Sequence, residues 1–164
     1  MAELTNIESK LAEVLGLAGA SKTATEKVRS MLDDDERELA GALERMGEQA
    51  AETEQRCTEL AGSFDGKKTA IVDAARETRK EATEMMQTYL ADEEEALDGF
   101  EFLAMAEAGE VVHWAIVRKL AERAGDERML SLVEWALPIQ EAHLAGVLEN
   151  SLLLAERTDP DEEV

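Results

Sequence analysis

One cysteine, two prolines, a 4% share of aromatic residues and no long apolar run set the limits of this 164-residue chain. Cys57 has no internal disulfide partner, so cysteine usage gives no argument for an oxidising compartment or for secretion. Few aromatics and prolines disfavour an all-β domain and suit helices built from Ala, Leu and Glu. The longest apolar stretches, such as Ala115–Val117 and Leu152–Ala155, fall far short of the roughly 20 residues of a membrane span. Met1-Ala-Glu-Leu4 carries an acid where a leader peptide would not. Basic residues are scarce as well: 17 Lys and Arg stand against 38 Asp and Glu, a formal charge of −21. Such a field repels phosphate backbones and anionic lipid, which argues against nucleic-acid and membrane partners. A cytoplasmic location is the expectation.

Hydrophobic residues nevertheless make up 45% of the chain, enough for one domain with a core. Leu4, Ile7, Leu11, Val14 and Ala18 recur at helical spacing, and Gly16 and Gly19 weaken the end of that segment. Thr23-Ala-Thr-Glu26 has a capping-box pattern, so residues 3–32 read as one helix or two. The acidic run Asp33–Glu36 is either a helix start or a solvated turn. A long seam follows from Leu39 through Leu43, Met46, Ala50, Thr53 and Cys57 to about Gly62, and Asp65-Gly66 signals a turn. A third helix carries Ala70, Ile71, Ala74, Ala82, Met85, Met86 and Tyr89; a fourth ends near Ala124; a fifth runs to about Arg157. Gly125-Asp126 supplies a helix stop followed by an N-cap, and Pro138 predicts a kink. No segment alternates with period two. The expectation is an all-α bundle of antiparallel helices over residues 1–158, with an acidic tail at 159–164.

Carboxylates stand where leucines belong. Phe100, Leu103, Glu107, Glu110, Trp114, Val117 and Ala121 form a continuous ladder, and two of its rungs are glutamates. For about three turns this helix is apolar almost all round except at Glu107, Glu110 and His113, which points to burial. A buried carboxylate is costly unless paired, protonated or bound to metal. Glu110 and His113 form an E-x-x-H, whose i, i+3 spacing puts both side chains on one face. Gln140 and His143 interrupt the seam of the fifth helix at the same spacing. Glu107 and His143 each lie 18 residues from Gly125, and Glu110 and Gln140 each lie 15, so an antiparallel hairpin brings all four to one level. Glu8 and Glu54 interrupt two earlier seams. The candidate metal ligands are therefore Glu107, Glu110, His113, His143, Glu54 and Glu8. The alternative is a metal-free network in which these groups bond one another.

The last 65 or so residues, with Glu107-Ala-Gly-Glu110, Trp114–Ala121, Gly125, Glu134, Gln140, Glu141 and His143, resemble the YciF-type branch of the ferritin-like superfamily, best over residues 99–157. Glu8 and Glu52-Thr-Glu54 resemble its first two metal-bearing helices more loosely. The resemblance implies a four-helix bundle, here with an extra helix, around a carboxylate-bridged di-iron pair, with Fe(II) oxidation and stress response as associated roles. The sequence departs from that pattern at Gln140, at Arg56-Cys57, where an imidazole is expected, and in the length of its N-terminal half. Expected partners are a metal ion and a second copy of the chain, as a dimer. The second functional reading is a helical interaction or scaffold protein with a buried polar network.

Overall fold

Thr5 opens the first helix with a reciprocal cap. Its hydroxyl accepts from the backbone N–H of Glu8, and the Glu8 carboxylate accepts from the backbone N–H of Thr5 at 2.8 Å. The computed structural model describes residues 2–163, and from this cap a single helix, α1, runs over Asn6–Arg29. The two-helix alternative fails for a local reason. Thr23 and Thr25 turn their hydroxyls back to the carbonyls of Gly19 and Lys22, so the Thr23–Glu26 pattern caps nothing. Gly16 and Gly19 do not end the helix; they let a neighbouring helix approach. A Cβ at Gly16 would run into the Ala75 carbonyl oxygen and come within 2.7 Å of the Thr78 Cβ.

The acidic run 33–36 is the turn into α2 (Arg37–Ala61), whose buried stripe is Leu39, Leu43, Met46, Ala50, Thr53, Cys57 and Ala61. Helix α3 (Lys68–Tyr89) buries Ala70, Ile71, Ala75 and Met86, while Met85 and Tyr89 stay exposed. Helix α4 (Ala96–Ala124) ends at Gly125, whose φ of 64° suits glycine. Asp126 then caps α5 (Glu127–Arg157) by accepting from the N–H groups of Arg128 and Met129. The helix continues through Pro138. Helix accounts for 81% of the described residues, and no strand occurs among them. No helix is long and apolar enough to cross a membrane. Residues 159–163 are exposed, and positions 1 and 164 lie outside the described residues.

Helix α1 packs on α2, α3 and α4; α5 packs on α4 and α2. The series α1–α2–α5–α4 therefore closes on itself as a four-helix ring. Its direction follows from paired residues. Thr25 faces Gly47 and Arg29 faces Glu44 between α1 and α2. Ser21 meets Glu107 and Glu13 meets His113 between α1 and α4. Gln49 meets His143 and Glu36 meets Arg157 between α2 and α5. In each pair one number rises as the other falls, so every neighbour in the ring is antiparallel. Helix α3 runs parallel to α1 outside the ring and carries the chain from the end of α2 to the opposite end, where α4 begins.

Two clusters of buried apolar side chains fill the ring. One gathers Leu11, Cys57, Trp114, Met129 and Val133; the other gathers Val28, Leu43, Phe100, Leu103 and Val147. The polar level lies between them.

Candidate functional site: a buried carboxylate network

Glu107 projects from α4 into the ring with no exposed surface, between Phe100 and Leu103 on one side and Trp114 on the other. The ladder that buries those apolar residues buries the glutamate with them. Ser21 of α1 donates to Glu107 Oε1 at 3.1 Å, and the Gln140 amide of α5 donates to Oε2. His143 Nδ1 stands 3.4 Å from Oε2, and its Nε2 meets the Gln49 side-chain oxygen of α2 at 2.7 Å. That oxygen accepts, which makes Nε2 a proton-bearing nitrogen. Nδ1 itself is buried with no hydrogen-bond partner and stands only at ion-pair distance from the carboxylate. All four ring helices thus meet at one level through Ser21, Gln49, Glu107, Gln140 and His143.

Glu110 lies one turn along α4, also buried. Burial and, next, the Glu107 charge push its carboxyl well above the usual carboxylate range, with the Ser21 hydroxyl opposing them. The Cys57 thiol below it is likewise pushed up, by burial first and then by Glu110 and Glu54. It is a small core residue, not a nucleophile.

The other candidates go elsewhere. His113 is partly exposed and pairs through Nδ1 with Glu13 Oε2 at 3.1 Å, so the E-x-x-H does not close on Glu110. Glu54 faces α3, 3.4 Å from Arg79. The carboxylate of Glu8 is occupied by the α1 cap, and 13 residues at about 1.5 Å each separate it from the level of Ser21. The structure therefore gathers Glu107, Glu110 and His143, as the hairpin spacing predicts, and not His113, Glu54 or Glu8. Sequence reasoning missed Ser21 and Gln49. A signal for Ser21 existed: it is a polar rung in the ladder Leu11, Val14, Ala18, Ser21, Thr25, Val28. Gln49 sits beside its helix's apolar stripe rather than in it.

An iron pair in a four-helix bundle draws a glutamate from each of two helices and a Glu-x-x-His from each of the others. Here α1 brings a hydroxyl, α2 an amide, and α5 an amide with an imidazole; only α4 brings carboxylates. This donor set does not fit an iron pair. Among the described residues no group of three or more His, Cys, Asp or Glu side chains converges to hold a metal ion. No family model, curated protein or solved structure matches the chain.

Proposed function

We propose that the chain is a ferritin-like helical bundle that serves as a binding or scaffold protein, its centre held by a metal-free polar network. The observation that carries this reading is the surround of Glu107. Three groups from α1 and α5 turn to one carboxylate, which leaves it few lone pairs for a metal. Such a network fixes one register among the ring helices, because sliding any of them by a turn would strand a buried polar group. We further propose a cytoplasmic homodimer, for which the exposed Val112, Ile116, Leu148 and Leu152 of α4 and α5 offer apolar surface.

One observation favours the di-iron reading as a second possibility to be tested: the antiparallel ring with a single end-to-end crossover is the arrangement of ferritin-like bundles. Anaerobic Fe(II) titration of the purified chain separates the two. The expected result is less than about 0.1 equivalent of retained iron and a melting temperature unmoved by Fe(II). Retention near two equivalents, with a raised melting temperature, would overturn the metal-free reading.

A further inference from the structure

Helices α3 and α4 both rest on α1 but splay apart above it. Between them lies a groove of about 480 Å³, within the range of small-molecule sites. Tyr89 and Phe102, with ring centroids 5.6 Å apart, close one end, and His113, paired with Glu13, stands at the other. Met85, Met86 and Met105 give the walls soft, adaptable surface. Two further features set this groove apart from a seam that merely packs badly.

The first is Glu110, which reaches the groove from below with only 4% of its surface exposed. Among the described residues no hydrogen bond reaches its carboxyl within ordinary limits. The Ser21 hydroxyl beside it has one proton and gives it to Glu107. The second is Gly109. It lies mid-helix on α4 and faces the groove, and a Cβ there would have nothing within 4 Å. No neighbour requires this glycine, unlike Gly16, yet a glycine weakens a helix. With Ala20, Ala24, Ala82 and Ala106, it keeps the groove open.

We propose that this groove binds a lipophilic cation, its apolar body lying against the methionines and Phe102 and its ammonium head meeting the Glu110 carboxylate. Glu110 and His113 line the groove at that head, with Glu13 behind His113 and the fully buried Glu107 one turn behind Glu110, and the chain's charge of −21 adds to the attraction. An alkyl alcohol can fill the same walls but cannot compensate a carboxylate. An alkyl carboxylate brings a like charge. This inference rests on the metal-free reading of the centre, since a metal there would take up the Glu110 carboxylate, and the Fe(II) titration tests that reading separately.

Calorimetric titration with decylammonium, 1-decanol and decanoate, each below its micelle concentration, tests the proposal on the full chain. Decylammonium is expected to bind one to one, at least about tenfold tighter than decanol, with decanoate undetected. Glu110→Gln should bring amine and alcohol to within about twofold of each other while the alcohol still binds. Gly109→Leu, which fills the groove without a clash at Cβ, should abolish both while the protein still melts cooperatively. Decylammonium binding no tighter than decanol in wild type would overturn the proposal. So would amine binding that survives Gly109→Leu unchanged, since that would place it on the acidic surface.

Discussion

Glu107 and Glu110 are the same residue type, one turn apart, both buried, and they should respond to substitution in opposite directions. Glu107→Ala leaves the Gln140 amide and the Ser21 hydroxyl without their shared acceptor and removes the carboxylate beside His143. A loss of roughly 1–3 kcal/mol in urea-melt stability is expected. Glu110→Gln orphans no donor and removes a carboxyl that burial and Glu107 hold well above its usual range. The sign follows from proton counting. Between the unfolded value, about 4.3, and the raised folded value, the native state holds a proton that the unfolded state has released. Wild-type stability contributed by this group is full below the lower value, falls as pH rises between the two, and is level above. The advantage of Glu110→Gln over wild type should therefore be absent near pH 4, grow with pH, and then plateau; a difference flat across pH would show that Glu110 titrates alike in both states. Cys57 offers a simpler check. Its raised pKa and burial predict negligible reaction with a thiol reagent in the native protein and rapid reaction in urea. At this scale the positions of Glu107, Glu110 and His143 were legible in the sequence, because the hairpin around Gly125 fixes their level. It could not give the direction of His113, whose partner Glu13 comes from a helix 100 residues away.

Among the helices, two glycines that look alike in the sequence do different things. Gly16 lies directly against the backbone of α3, and Gly109 is where α4 faces open space. Gly16→Ala should destabilise by about 1–3 kcal/mol despite a better helix propensity, because the added methyl meets the backbone of α3. Gly109→Ala should stabilise by roughly 0.5–1 kcal/mol. Thermal melts of the two variants check both signs. The same ambiguity explains why α1 can be read as one helix or two from its sequence. A glycine pair signals either a stop or a close crossing, and only the partner helix decides. The boundaries of α4 and α5 were legible because Gly125 and Asp126 terminate and cap by local chemistry alone. The α1 cap shows the limit of reading a buried acid as a ligand. Glu8 is nearly inaccessible because it serves Thr5, and Thr5-Asn-Ile-Glu8 carried the same capping pattern as Thr23–Glu26.

The molecule as a whole carries 38 acids against 17 bases, and five of the eleven ion pairs among the described residues are i, i+3 or i, i+4 contacts within single helices. Such pairs contribute little. Long-range repulsion among the unpaired acids should then dominate the electrostatics of folding. Raising sodium chloride from about 10 mM to about 500 mM should increase the melting temperature by several degrees, as screening relieves that repulsion. A melt that falls with salt would mean that attractive pairs outweigh it. Fold class was readable at this scale because the 3-4 spacing persists over five segments. The ring order was not, since it depends on which faces meet across segments far apart in sequence.

Helix α3 spans the ring from end to end yet buries only Ala70, Ile71, Ala75 and Met86. If it melts while the ring stays intact, its 22 residues have a contour of about 70 Å, ample to tether α2 to α4 over a helix length of about 33 Å. The backbone amides of α3 should consequently exchange with deuterated solvent through a partial opening, faster than those of α1 or α4, whose protection should track global unfolding. Such an opening removes the Met85, Met86 and Tyr89 side of the groove. The crossover helix is thus a detachable wall on a permanent leash, and whatever lies against it should slow its amide exchange in proportion to occupancy.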